Sequence, residues 1–308
     1  MHLTLQQLKL FEAVSRNSSY TRAAEELHLT QPAVSIQLKR LESHVGIPLF
    51  EQVGKKIYPT SAGKIMYQTS VDILQKIHDL DISIEVLKGI VKGPIQISLV
   101  STTKYFMPLL LGHFLQRYPE VEPRLKFTNR ARTVEHLINN QDDFVVMGQI
   151  PDESNLQAYP FLENILVVVA APDHPLAGKK NISLKALAKH RFVEREPGSG
   201  TRQTFDRLLA SHHLEVKPYM ELGSSEAIKQ AVIAGLGLGI QSRYSLDLEL
   251  MAGKLVILDV QEFPIKRRWY AVHLKGKKLS LVAQTFLDFI IDESRDILQK
   301  QGHWSMRE

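Results

Sequence analysis

The 308-residue chain contains no cysteine. Disulfides, thiolate nucleophiles, thiolate-held iron–sulfur clusters and cysteine zinc sites are therefore excluded, which agrees with a cytoplasmic protein. Long hydrophobic runs are missing too. The longest compact apolar stretch, residues 165–171, falls far short of the roughly 20 residues needed to span a bilayer, so no membrane association is expected. The start of the chain, Met1 to Gln7, lacks a basic segment followed by an apolar core, so no signal peptide is expected. A dense charge run is the third absence. Lys and Arg total 38 against 33 Asp and Glu, a net charge of +5. Residues 1–60 carry 7 basic against 5 acidic residues, 61–88 carry 3 against 4, and 89–308 carry 28 against 24. A tail-driven, histone-like mode of DNA binding is thereby excluded, although a mildly basic chain still suits an anionic partner. Hydrophobic residues make up 44% and charged residues 23%, ordinary for a globular protein. The length suggests two or three domains.

In the first sixty residues the apolar spacing predicts three helices. Leu8, Phe11 and Val14 share one helical face. Ser19 caps a second helix over residues 20–27, in which Ala23, Ala24 and Leu27 share a side. Thr30 caps a third, with Pro32 in its first turn, where a missing N–H costs little. Val34, Leu38 and Leu41 form its buried stripe, and Gln31, Ser35, Ile36, Lys39 and Arg40 face outward. Two short helices about a tight turn fit a helix-turn-helix. Gln31 and Ser35 are then placed for base edges, and Lys39 and Arg40 for phosphates or guanine. A plain three-helix bundle with a solvated face satisfies the same spacing. Residues 49–60 read as strand, turn, strand, with Lys55 and Lys56 at the tip. That is a wing whose lysines suit phosphates beside the groove.

Ala23-Ala24-Glu25-Glu26-Leu27, Thr30-Gln31-Pro32-Ala33-Val34-Ser35, Leu41-Glu42, Gly46, Leu49-Phe50-Glu51 and Thr60-Ser61-Ala62-Gly63 closely resemble the N-terminal signature of LysR-type transcriptional regulators. The resemblance implies a winged helix-turn-helix that reads double-stranded operator DNA through the helix starting at Gln31. Many family members carry Arg where this chain has Ile36. Isoleucine donates no hydrogen bond but can contact a thymine methyl.

Residues 61–92 read as a connecting helix. Met66, Ser70, Ile73, Ile77, Leu80, Ile84 and Leu87 follow an alternating three–four spacing, an a/d seam over about four heptads. The expectation is a dimerisation helix, ended by Gly89 and a Gly93-Pro94 hinge. The alternative is a long helix lying on its own domain. The resemblance implies the dimer.

From residue 93 onward strands and helices alternate, which predicts open α/β sheets. Strands are expected at 95–100, 121–127, 144–147, 165–170, 191–194, 219–222, 238–240, 255–258 and 269–274. Helices are expected near 105–117, 133–140, 202–213, 225–234, 246–251 and 281–297. Ligands of such sheets bind beyond the carboxyl ends of strands. Ser101-Thr102-Thr103-Lys104, Gly148-Gln149, Arg195, Ser199, Thr201 with Arg202, Ser224 and, after a fifth strand, Arg130 lie there. Small residues, helix starts and cations together favour an anion. Taken singly, Lys104, Arg130 and Arg195 read better as solvated surface charges, and residues 198–202 also fit an ordinary capped helix start; the anion site rests on their convergence.

Other motifs fail. Gly235-Leu236-Gly237-Leu238-Gly239 follows a helix and precedes a strand, the reverse of a dinucleotide loop, and reads as tight packing. His212-His213 and His303 lack metal-ligand spacing, and no catalytic nucleophile, base and orienter set is visible. No metal, catalytic residue or cofactor is expected. A solute-binding protein would need a signal peptide and no residues 1–60; an enzyme would need a catalytic constellation.

Residues 52–58, 101–106, 195–202, 220–224 with 226–230, and 263–267 are similar to the CbbR-type regulators of RuBisCO and Calvin-cycle operons. This resemblance implies control of carbon-fixation genes and an allosteric effector that is a phosphorylated metabolite or NADPH. It also implies a homodimer, a homotetramer built as a dimer of dimers, and RNA polymerase as a further partner. The expected architecture is α + α/β. A winged helix-turn-helix (1–60) leads to a linker helix and hinge (61–92). A two-lobed, periplasmic-binding-protein-like effector domain (93–308) follows, with lobe I near 93–162 and 267–297 and lobe II near 163–266.

Overall fold

A computed structural model of the chain describes residues 3–53 and 56–300. It divides into two compact units, Met1–Lys88 and Gly89–Glu308.

The first unit begins with α1 (Leu5–Asn17), α2 (Tyr20–Glu26) and α3 (Gln31–Val45). Local caps set all three starts. Thr4 and Gln7 form a reciprocal capping box, and the Ser19 and Thr30 hydroxyls accept from Arg22 and Ala33 N–H. Gly46, at φ 82°, ends α3 in the left-handed region. Phe11, Val14, Ala23, Val34 and Leu41 are fully buried in one core. Strands β1 (Phe50–Val53) and β2 (Lys56–Pro59) pair antiparallel. Glu42 ties this hairpin to α3, because its Oε1 accepts from Leu49 N at 2.8 Å and Phe50 N at 3.2 Å. Helix α4 (Ser61–Lys88) starts against the same hairpin. A side chain on Gly63 would meet the Leu49 carbonyl oxygen at 2.1 Å, so that crossing admits only glycine.

The start of the connecting helix lies on its own unit. Met66 packs on the first unit's core, and Ser70 is fully buried, its hydroxyl donating to Met66 O. Farther along, Leu80 is 58% exposed and Ile84 41%. The Gly93-Pro94 hinge requires correction. Both residues open β3 (Gly93–Val100), and Gly93 N–H donates to Glu120 O.

The second unit continues with α5 (Met107–Arg117), β4 (Val121–Thr128), α6 (Arg130–Ile138), β5 (Phe144–Met147), β6 (Leu156–Ala170), α7 (Leu184–Leu187), β7 (Phe192–Arg195) and α8 (Gly200–Ser211). It ends with β8 (Met220–Leu222), α9 (Ser225–Ile233), β9 (Leu238–Ser242), α10 (Asp247–Met251), β10 (Val256–Ile257), β11 (Ile265–Leu274) and α11 (Leu281–Lys300). Its sheet runs β4-β3-β5-β11-β6-β9-β7-β8, with β10 also on β6. β3, β4 and β5 are mutually parallel in lobe I, and β7, β8 and β9 in lobe II.

The long antiparallel pair β6–β11 joins the lobes. Both strands run unbroken through the expected crossing points. Phe161, Leu162, Trp269 and Ala271 pack into the lobe I core, while Leu166, Val168 and Ala170 pack into lobe II. The register shifts between Trp269 and Tyr270. That bulge accommodates Pro160, which a regular ladder would disfavour. The 235–239 segment is a helix-to-strand turn, and a side chain on Gly237 would strike Arg191 O at 2.6 Å.

Candidate functional site

On the first unit, α3 presents a continuous exposed face. Gln31, Pro32, Lys39 and Arg40 are exposed, Ser35 is half-buried, and Ile36 is 52% exposed. The residues opposite, Val34, Leu38 and Leu41, are buried. Thr30 is spent on the helix cap. Ser43 continues the exposed face one turn on, a position the sequence reading missed. Lys55, and the Lys56 side chain, lie outside the described residues.

In the second unit, the carboxyl ends of β3, β4, β5 and β7 meet between the lobes around a cleft of about 380 Å³, open solvent included. Among the sequence-selected residues, Ser101, Thr102, Arg130, Gly148, Gln149, Arg195, Ser199 and Thr201 line it. Four others do not and are corrected here. Thr103 is fully buried and its hydroxyl bonds Val100 O at 2.8 Å. The Lys104 ammonium lies over the Tyr105 ring. Ser224 caps α9 by accepting from Ala227 N–H. Arg202 is held among carboxylates, 2.8 Å from Glu221, 3.5 Å from Glu194 and 3.8 Å from Asp206, and also donates to Arg195 O.

Arg195 lines the cleft but is not a free cation. Two of its nitrogens donate to the Glu196 carboxylate at 2.7 and 2.9 Å. It also reaches Ser101 of lobe I and Ser225 of lobe II, each at 3.3 Å, so it braces the lobes. A second brace joins the Tyr105 hydroxyl to Glu226 at 3.0 Å.

Two other arginines line the cleft, Arg130 and Arg267, and neither has an ion-paired carboxylate among the described residues; the exposed Arg207 lies near them. Arg130 opens α6 and its Nε donates to Gln149 O at 3.4 Å. Arg207, on α8, donates to the Gln149 side-chain oxygen. Arg267, on β11, donates to Gly200 O at 2.9 Å and Thr204 Oγ1 at 2.6 Å, while its Nε is buried without a partner among the described residues. Burial, reinforced by Arg207, pulls Arg267 down to about 10. The same two causes, burial first, hold Arg130 below its ordinary range against the pull of Asp152. A like charge and burial both disfavour the protonated form of an arginine.

Sequence reasoning missed Arg207, Arg267, Asn129 and Trp269. Asn129 caps α6 by accepting from Arg132 N–H. The helix therefore begins at Arg130 rather than Thr133, and its N-terminus opens on the cleft beside that of α8. A second depression, of about 650 Å³, lies on the outside of β6 and β11 between Pro160, Phe161, Leu162, Glu163, Arg268 and Arg295. There Glu163 stands opposite Arg268 in the ladder, and no strand end or helix start contributes. No group of three metal-ligating side chains occurs among the described residues.

The acidic cluster at Arg202 yields a prediction. Burial, then Asp206, pushes the Glu194 carboxyl from its ordinary 4.5 to about 7, against the pull of Arg202. Between pH 4.5 and 7 the unfolded chain ionises this group before the folded chain does, so its stabilising contribution is lost as pH rises. Glu194→Gln lacks this loss. Its unfolding free energy, from denaturant titration, should gain on the wild type across that window by on the order of 2 kcal/mol. A constant difference between pH 4.5 and 7.5 would contradict the assignment.

Comparison with known proteins agrees with both units. Residues 5–64 match the bacterial regulatory helix-turn-helix protein family, lysR type, and residues 88–295 match the LysR substrate binding domain. The RuBisCO operon transcriptional regulator of Allochromatium vinosum is 45% identical over 294 residues, covering 96% of this chain and 97% of the relative. The regulatory domain of Synechocystis CcmR in complex with 2-PG is 45% identical with a TM-score of 0.64, covering 67% of this chain and 99% of that one. A full-length OxyR variant from Pseudomonas aeruginosa shares the fold at 19% identity and a TM-score of 0.72, over 96% of this chain and 95% of that one. The winged helix-turn-helix, the linker helix and the two-lobed α/β unit thus belong together: the chain is a member of the LysR family of transcriptional regulators.

Proposed function

We propose that this LysR-type regulator controls carbon-fixation genes and senses a small phosphorylated acid in the cleft between its lobes. The supporting observation is the pair Arg130 and Arg267, which have no ion-paired carboxylate among the described residues and line the cleft beside the N-termini of α6 and α8, with Arg207 reaching the Gln149 side chain close by. Guanidinium forks and free helix N–H groups suit a phosphate. Two relatives guide the choice of genes and ligand. One is named for the RuBisCO operon, and the other was solved with 2-PG, 2-phosphoglycolate. Ser101, Thr102, Gln149, Ser199 and Thr201 complete the polar lining, while Arg195 holds the lobes together. The effector acts through its differential affinity for two arrangements of the protein.

In this reading residues 1–60 bind operator DNA. Gln31, Ser35 and Ile36 read base edges, and Lys39, Arg40 and the wing lysines Lys55 and Lys56 hold phosphates. Residues 61–92 dimerise through the outer part of α4, from Ile73 to Leu87, since Met66 and Ser70 already serve the chain's own core. Two recognition helices then meet a two-fold site. Pairing of dimers into a tetramer, contact with RNA polymerase and a cytoplasmic location complete the proposal.

Calorimetry with 2-phosphoglycolate tests the sensor. The wild type should bind and gain about 2.7 kcal/mol of stability at a hundredfold excess over Kd. Arg267→Met should lose most of that affinity while its DNA affinity without effector stays unchanged. Equal affinity in both proteins would place the ligand elsewhere. In mobility-shift titrations with RuBisCO promoter DNA, Gln31→Ala should flatten the preference for that site over scrambled DNA, by about 1–3 kcal/mol of discrimination. Loss of equal size on both sequences would show that Gln31 does not read bases. Sedimentation of Leu80→Glu/Ile84→Glu should give monomers at concentrations where the wild type is dimeric. An unchanged oligomer would exclude this seam.

A further inference from the structure

A guanidinium on a long, flexible side chain binds an anion best where it is already held in place. The residue that holds Arg267 lies on α8. Gly200, Thr204 and Arg207 recur at i, i+4 and i+7, so they share one face of that helix. At one end of this stripe Arg207 reaches the Gln149 side chain, and at the other Gly200 lines the cleft. Between them the Thr204 hydroxyl makes two bonds. It donates to Gly200 O at 2.8 Å and accepts from Arg267 Nη1 at 2.6 Å. The same Nη1 also donates to Gly200 O, at 2.9 Å. Both N–H groups of Nη1 are thus spent on α8. Nε is buried, and Nη2 makes no hydrogen bond among the described residues. One terminal nitrogen is anchored and the other is left for a ligand. The anchor also ties β11 to the first turn of α8, whose N-terminus opens on the cleft.

We propose that Thr204 is a positioning residue for the effector: its hydroxyl locks the Arg267 guanidinium against the first turn of α8, so that the cation and the helix N-terminus meet the same anion. This rests on the effector reading given above. Thr204 does not itself line the cleft and acts only through Arg267. Without the hydroxyl, Nη1 loses one of its two acceptors and the arginine regains rotamers that must be given up again on binding. Valine at this position keeps the shape and accepts nothing.

The experiment titrates 2-phosphoglycolate calorimetrically into the full-length protein. It compares Thr204→Val, Thr204→Ser, Arg267→Met and the double variant Thr204→Val/Arg267→Met, the last two at millimolar ligand. Thr204→Val should weaken binding about tenfold, the size of a hydrogen bond to a charged group, while Thr204→Ser, which keeps the hydroxyl, should stay within about twofold of the wild type. In the Arg267→Met background the valine should change affinity by less than about twofold, because the side chain it acts through is gone. A merely structural role would weaken binding equally in both backgrounds, and that result would overturn the proposal. Thr204→Ser binding as poorly as Thr204→Val would overturn it too. Thr204→Ala removes the same acceptor with better helix propensity, and it is read by the same criteria should the valine variant fold poorly. Loss in Arg267→Met beside unchanged binding in Thr204→Val would overturn this inference and leave the effector reading intact. A wild type that binds no 2-phosphoglycolate, or Arg267→Met binding as tightly as the wild type, would overturn both.

Discussion

The antiparallel pairing of β6 with β11 is the interaction on which the sensor unit depends. Its ten paired positions, from Ile265 opposite Leu166 to Leu274 opposite Leu156, are shared between two hydrophobic cores. Phe161, Leu162 and Trp269 anchor the ladder in lobe I, and Leu166 and Val168 anchor it in lobe II. Two strands that belong to both lobes make the cleft floor continuous in register, while the lobes are also joined by the polar contacts of Arg195 with Ser101 and Tyr105 with Glu226 and by the packing of Tyr244 on Phe106. Arg267 and Trp269 occupy the middle of that ladder. The element that connects the lobes therefore also carries the side chains that face between them.

Charge is divided sharply within this unit. Arg195 and Arg202 are neutralised by Glu196 and by the Glu194, Asp206 and Glu221 group. Arg130, Arg207 and Arg267 have no ion pair among the described residues, and burial, then Arg207, lowers Arg130 and Arg267 below the ordinary arginine range. Uncompensated cations in a partly desolvated cleft favour an anion whose charge they share. The first group shapes the protein, and the second is the one proposed to meet the ligand. Net charge alone, +5 over the whole chain, conveys none of this.

The DNA-binding unit was almost wholly legible in the sequence because its determinants are local. Caps at Ser19 and Thr30, the glycine after α3 and the buried stripe Val34, Leu38 and Leu41 act within one or two turns. Glu42 and Gly63 gain their physical reasons only in three dimensions, one bridging α3 to the hairpin and the other crossing Leu49 O. The cleft was half legible. Strand ends such as Ser101 and Gly148 announce themselves by small polar residues after an apolar run. Arg202 looked equivalent to them, but α8 turns it toward the acidic cluster. Arg207 lies about 140° around the helix at 100° per residue, and it is the one that reaches Gln149. The β6 and β11 extensions were missed because Pro160, Glu163 and alternating charges imitate a loop. Arg267 went unseen with them.

The most direct test of the central claim is a crystal structure of the sensor cleft of the full-length protein with 2-phosphoglycolate. The account predicts the phosphate between Arg130, Arg207 and Arg267, within hydrogen-bond distance of at least two of the guanidinium groups. Density for the ligand in the outer depression at Arg268 and Arg295, with the cleft unoccupied, would contradict it.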